Sequence, residues 1–199
     1  DNADDPQTFY GGCYQGIIEA MDAKTGESKD IMEYPSLNLA WEPKKMKYRF
    51  NWNAPIVNSP HDSRVLYHAG NVLFRSVDGG MNWEKISGDL TRNDTTRQGI
   101  SGGPITNEGA GGENYNTIYY VIESPLEKGV IYTGSDCGLV HLTRDNGKTW
   151  TNITPPELPE SNVHSIEVSR HDKATVYVSA TRYKFCLLYT SPSPRDVEE

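Results

Sequence analysis

Ser76-Val-Asp78-Gly79-Gly80-Met-Asn82-Trp83 and Thr143-Arg-Asp145-Asn-Gly147-Lys-Thr149-Trp150 are two copies of one octamer. In both, a hydroxyl residue, an acid, a glycine and a tryptophan stand at the same offsets. An apolar alternating run precedes each copy, Val72-Leu-Phe-Arg75 or Gly138-Leu-Val-His-Leu142. A short second run follows, Glu84-Lys-Ile86-Ser or Thr151-Asn-Ile153-Thr. The pattern predicts strand, turn, strand. A short Asp side chain accepts hydrogen bonds from backbone amides inside a turn, and Gly supplies the positive φ. Trp anchors the return strand by burying a large apolar surface. Asp78 and Asp145 are therefore read as braces of a turn and not as catalytic acids.

The octamers sit inside a longer repeat. Ser59, in Ile56-Val-Asn-Ser59-Pro60, is followed eight residues later by Tyr67. Ser124 and Tyr132, then Ser169 and Tyr177, repeat that spacing within Val121-Ile-Glu-Ser124-Pro125 and Ile166-Glu-Val-Ser169-Arg170. Each unit supplies an inner strand, a turn, a Val-x-Tyr strand, a hairpin and an outer strand. Short antiparallel strands in a recurring unit of this length predict the blades of a β-propeller. The expected fold is all-β, a partial propeller of about three four-stranded blades from a larger ring, over residues 1–185. Blades are expected near 8–47, 48–98 and 116–160, with an incomplete one at 161–185. In the first, an ordinary turn at 22–27 replaces the octamer. A Gly-rich insert at 99–115 separates two blades and is the best place to look for function, since long propeller loops often line a binding face. Part of a ring exposes blade edges and an apolar face, so these residues alone are expected to be marginally stable or aggregation-prone.

Composition agrees with a β fold: the 199 residues include 12 Tyr, 4 Trp and 18 Gly. Net charge is −8, with a pI of about 5.1, and no block of like charges appears. A nucleic-acid groove and a polybasic membrane patch are thereby disfavoured, and no apolar run reaches the length of a membrane span. Residues 186–196, Cys-Leu-Leu-Tyr-Thr-Ser-Pro-Ser-Pro-Arg-Asp, resemble the translation of a sequencing-library adapter, so 186–199 are set aside as a non-native tail. Cys13 and Cys137 then remain, in unrelated contexts without metal or disulfide-scaffold spacing, as buried apolar residues or surface thiols.

Motifs for chemistry are sparse. Gly147-Lys148-Thr149 lacks the leading glycine of a P-loop, since position 142 is Leu, and no dinucleotide fingerprint occurs. No metal-ligand spacing is present among the histidines, and no cofactor is expected. His61-Asp62 and His171-Asp172 occupy equivalent turns. Glycoside hydrolysis needs two carboxylates flanking the scissile bond. Asp89, Asp94, Glu108, Glu113 and Asp136 lie in loops, but spacing alone does not pair them. Trp52, Ser101, Glu113 and Tyr115 are the candidate ligand contacts, Trp52 either as a stacking platform or as a core residue.

The octamers resemble the Asp-box, or bacterial neuraminidase repeat, S/T-x-D-x-G-x-T-W. Ser76, Asp78, Gly80 and Trp83 fill its positions in one copy, with Asn82 for the usual Thr, and Thr143, Asp145, Gly147 and Trp150 in the other. Tyr48-Arg49-Phe50-Asn51 half resembles a sialidase motif, with Asn51 in place of Pro. Tyr48-Arg-Phe-Asn-Trp-Asn53, Ser59-Pro-His-Asp62, Ser101-Gly-Gly-Pro-Ile-Thr106 and Val140-His-Leu-Thr-Arg-Asp145 together resemble a bacterial group of long, exported, sortilin-like or glycosyl-hydrolase-like repeat proteins. That resemblance covers residues 8–185. It implies an extracellular or periplasmic propeller that binds protein, peptide or carbohydrate through one face and packs against further blades. The alternative it implies is a xyloglucanase-like hydrolase using paired carboxylates. No catalytic aspartate of those hydrolases matches a position here.

Overall fold

The computed structural model describes residues 6–36, 40–100, 103–105 and 113–185. The proposed adapter tail, and Ser101 and Glu108 of the insert, lie outside the described residues. Four antiparallel sheets follow one another along the chain. The first contains β1 (Thr8–Gly12), β2 (Ile18–Asp22) and β3 (Ser28–Asp30). The second is a four-stranded meander of β4 (Ile56–Asn58), β5 (Leu66–Ala69), β6 (Leu73–Ser76) and β7 (Glu84–Lys85). The third repeats it with β8 (Ile118–Glu123), β9 (Ile131–Ser135), β10 (Val140–Thr143) and β11 (Thr151–Asn152). The fourth pairs β12 (Asn162–Val168) with β13 (Val176–Thr181).

Apolar side chains fill the gaps between consecutive sheets. Ile18 and Ile31 of the first sheet meet Leu66 of the second. Tyr67, Leu73 and Ile86 meet Ile118, Val121 and Ile131 of the third. Tyr132 and Val140 meet Val163, Ile166 and Val168 of the fourth. Sheets stacked face to face with both inner faces buried are the blade packing of a propeller.

In a meander, successive connections alternate between the two ends of the strands. The β4–β5 and β6–β7 turns, with their counterparts in the third sheet, therefore lie at one end. The β5–β6 and β9–β10 turns and the long links between sheets lie at the other, here called the connection end.

The octamers are the β6–β7 and β10–β11 turns, and their hydrogen bonds repeat atom for atom. Ser76 Oγ donates to Asp78 Oδ1 and accepts from the Gly80 amide, each at 2.8 Å. Thr143 Oγ1 does the same with Asp145 and Gly147 at 2.8 and 2.9 Å. Asp78 then takes the Asn82 amide at 2.9 Å and its side-chain Nδ2 at 2.7 Å. Asp145 takes the amide and hydroxyl of Thr149 at 2.9 and 2.7 Å. Asn82 thus reproduces with an amide what threonine does with a hydroxyl. Trp83 Nε1 donates to the carbonyl of Ile31 at 2.7 Å, and Trp150 Nε1 to that of Ile86 at 2.9 Å. Both acceptors belong to the preceding sheet's last turn of chain, so the turn fastens one sheet to the sheet before it.

The second turn repeats as well. Ser59 Oγ accepts from the His61 amide and Ser169 Oγ from that of His171, while Asp62 and Asp172 accept from Arg64 and Ala174. These acids brace loops, as their equivalent positions predict.

Gly147 stands at φ +88°, and a Cβ there would lie 2.7 Å from the Ile86 carbonyl oxygen. Gly147→Ala is expected to destabilise the chain by about 1–3 kcal/mol, combining an unfavourable φ with overpacking against backbone. Urea unfolding measures it; an unchanged midpoint would mean that the turn does not seat against Ile86.

Candidate functional site

The connection end gathers the segment at 48–53, the β9–β10 turn, the chain at 113–117, residues 159–161 and the short turn Tyr183–Phe185. Much of what meets there is polar and buried. Arg49, 5% exposed, pairs with Asp89 at 2.6 Å and donates through Nε to the Asn116 carbonyl at 3.1 Å. Asn71 completes the group, taking the Arg49 amide on its oxygen and donating to Asp89. Asn51 donates to the Asn114 carbonyl at 2.9 Å and to Thr117 Oγ1 at 3.2 Å. Asn114 returns a bond to the Phe50 carbonyl at 2.7 Å. This lattice fixes the end of the long connection against the segment that opens the second sheet.

Asp136 lies fully buried inside it. Its oxygens accept from the amide and hydroxyl of Thr117 at 2.9 and 3.1 Å, and Lys184 Nζ stands at 3.5 Å. Burial pushes the Asp136 carboxyl above its ordinary range, and the Lys184 ammonium offsets only part of that rise. Burial opposes the Lys184 charge most strongly, but Asp136, Tyr183 and Glu113 together outweigh it and hold the Lys184 ammonium above its ordinary range. Glu160 accepts from the Tyr115 hydroxyl and pairs with Arg97, both at 2.6 Å. Burial, then the Glu160 bond, holds the Tyr115 phenol protonated well above its ordinary range. Cys137 is buried, and burial followed by the Asp136 charge raises its thiol to about 11, so it is an inert small residue. Cys13 is exposed.

The candidate contacts separate accordingly. Tyr115 is only 1% exposed with its hydroxyl engaged, so it faces the interior and not a ligand. Glu113 is half-buried and bridges in antiparallel fashion to Asn51. Trp52 is half-buried, and Tyr14 meets its ring edge-on at 4.0 Å between centroids. Its indole nitrogen is buried and has no hydrogen-bond partner among the described residues.

Two residues that spacing did not single out extend this row. The β8–β9 pairing slips between Ile118 and Tyr120, which leaves Tyr119 as the bulged residue. The β12–β13 pairing slips between Val163 and Ser165, which leaves His164. Both stand five residues before the repeated serine, Ser124 or Ser169, so the two bulges are equivalent. A bulge re-aims the side chain it inserts. Here the Tyr119 and His164 rings meet at right angles, 5.5 Å apart, and the Tyr119 hydroxyl accepts from the exposed Asn53 amide at 2.8 Å. Tyr14, Trp52, Asn53, Tyr119 and His164 thus form a partly exposed aromatic and amide row running across all four sheets. The signal in sequence is a broken alternation: Ile118 and Val121 are buried, with two half-buried tyrosines between them.

Among the described residues no group of three or more His, Cys, Asp or Glu is placed to hold a metal ion. No helix there is long and apolar enough to cross a membrane.

Comparison with solved structures finds likenesses of fold. The GH74 xyloglucanase from Xanthomonas campestris aligns with a TM-score of 0.55 at 18% identity, over 90% of this chain and 26% of the enzyme. The GH74 enzyme from Niastella koreensis gives 0.48 at 17% identity, over 87% and 24%. YCF48 from Cyanidioschyzon merolae gives 0.30 at 13%, over 88% and 64%. The chain spans about a quarter of the length of the two GH74 enzymes. No family model and no curated protein matches it. At such identity the likeness is one of fold: the chain is a partial β-propeller.

Two measurements check this electrostatic description. Hydrogen bonds, led by those from Asn82 and Thr149, hold Asp78 and Asp145 at about 2. An unfolded Asp titrates near roughly 3.9. Their contribution is therefore complete above about pH 4 and lost as pH falls toward about 2. The melting-temperature gap between the wild type and Asp145→Asn should shrink over that window; a gap constant with pH would count against it. Lys184→Met, which strands the buried Asp136, is expected to cost about 3 kcal/mol in urea unfolding. A neutral result would show that the pair does not form.

Proposed function

We propose that the chain belongs to an exported, sortilin-like or glycosyl-hydrolase-like Asp-box propeller, and that its connection end recognises a glycan. The observation that carries this reading is the pair of equivalent bulges turning out Tyr119 and His164 in line with Trp52. Sugar rings offer C–H faces that pack on aromatic rings and hydroxyls that bond planar amides and carboxylates. Trp52, Tyr119 and His164 supply the first kind of contact, and Asn53 and Glu113 the second. Ligand sites commonly combine apolar walls with a few such polar groups. The octamers lie at the opposite end, where they fasten sheets, which supports a structural role for them. An extracellular or periplasmic location goes with this reading, as does packing against further blades.

Hydrolysis is the second reading, favoured by Glu113 beside the aromatic row and by the fold shared with a xyloglucanase. It requires a second carboxylate across the scissile bond. Asp89, Asp136 and Glu160 each face a cation instead.

Titration calorimetry with xyloglucan and other β-glucan oligosaccharides tests both. Binding is expected, and Trp52→Ala should weaken it about tenfold or more, roughly 1.4 kcal/mol. Sugar release that stops in Glu113→Gln would replace recognition by hydrolysis. A blank panel alongside retention on a peptide array would overturn the glycan assignment.

A further inference from the structure

Two open notches lie where the outer strand of one sheet meets the octamer turn of the next. Lys29, Asp30, Met32, Glu33, Met81 and Trp83 line the first, between the first and second sheets. Arg75, Glu84, Gly88, Gly147, Lys148 and Trp150 line the second, between the second and third sheets, around about 350 Å³. Sheets of this chain wall both notches on either side, so neither is a face that a further blade would cover.

Equivalent positions separate what the fold needs from what it does not. Ile31 and Ile86 accept the indole bonds, and Gly80 and Gly147 stand at positive φ beside them. Counted from those points, Met81 corresponds to Lys148, Glu33 to Gly88 and Ala20 to Arg75. The fastening bonds are the same in both notches, so Arg75 and Lys148 are not required by them. Lys85 stands apart: it lies opposite Phe74, and its charge acts on Glu33 of the first notch.

Arg75 Nη2 bonds Glu84 at 2.9 Å and Nη1 reaches the Asn146 carbonyl at 3.4 Å, while Nε has no hydrogen-bond partner among the described residues. The Glu84 side chain is 68% exposed, so water screens that ion pair and it adds little. A guanidinium carries five donors in a planar fork that fits a carboxylate, and most of those of Arg75 are uncommitted. Lys148 is exposed and pairs with no acid among the described residues. Trp150 is half-buried, and the rest of its ring lines the notch.

We propose that the second notch binds a carboxylate-bearing sugar, a uronic acid residue. Its carboxylate lies between Arg75 and Lys148, and a C–H face of its ring packs on Trp150. The notch is at the small end of ligand sites, which suits one or two sugar residues and not a folded partner. Asp30 and Glu33 make the first notch repel the same group. This site shares no residue with the aromatic row and does not depend on it.

Titration of the full chain with tri-galacturonic acid, followed by the indole N–H resonances in heteronuclear NMR, tests this. The Trp150 signal is expected to shift saturably and further than that of Trp83, with an affinity that falls as salt is added. Arg75→Gln and Lys148→Met should each weaken binding about tenfold or more. Met81 shows that the turn accepts methionine at that position, and an unmoved Trp150 signal in the free variant checks that the turn stays seated. The methyl ester of the probe, which lacks the charge, should bind at least as weakly as the variants do. No saturable Trp150 shift, equal affinity for the ester, or unchanged affinity in either variant would each overturn the proposal.

Discussion

An indole N–H that crosses from one sheet to a carbonyl of the sheet before it sets the terms for the rest of the structure. A short sheet with one apolar face cannot stand alone, because its backbone edges and side chains need a neighbour. Trp83 and Trp150 provide the neighbour with an address. Each reaches the carbonyl just beyond the preceding outer strand, Ile31 or Ile86, while the turn beneath it is locked by the Asp and hydroxyl groups. The glycine in the turn permits that closeness: a Cβ at Gly80 would lie 2.5 Å from Ile31 Cδ1. Rigid turn, small residue and directed tryptophan form one device, and its repetition generates the stack of sheets.

The same end-to-end alternation that puts these turns on one side frees the other side to vary. There the links between sheets are long and cannot satisfy their backbone by strand pairing. Side-chain amides and ions take over, with Asn51, Asn71, Asn114, Thr117 and Arg49 bonding backbone groups or bracing those that do. Buried polar groups that find partners favour a single arrangement. This explains why Asp136 and Lys184, distant in sequence, share one buried position. It also gives the aromatic row a rigid base, as precise recognition requires.

Legibility in the sequence followed the range of the interactions. The octamer is local, with every bond inside the turn spanning four residues or fewer, so its strands, its positive φ and the role of its acids could be read directly. The Ser-to-Tyr spacing is set by a hairpin and was equally readable. Trp52 and Glu113 are half-buried beside the first strands of their sheets, and a ligand role for them stays a proposal. Tyr115 was not correctly placed, because its burial depends on Glu160, 45 residues away. Tyr119 and His164 escaped because a bulge shows only in the pairing of two strands. In the sequence it is a single interruption of alternation, no different from a strand end.

The distribution of charge decides how far the hydrolase analogy can be carried. Acid–base cleavage of a glycosidic bond needs one carboxyl that gives up a proton and one carboxylate that faces the anomeric carbon or a water beside it. A cation held against a carboxylate favours its ionised form and covers its lone pairs. Arg49 covers lone pairs of Asp89 and Arg97 those of Glu160, while Asp136 is enclosed with Lys184. These acids contribute to the framework. What the connection end offers outward is ring faces and an amide. Under the glycan reading proposed above, the equivalent bulges at Tyr119 and His164 are how consecutive repeats supply rings.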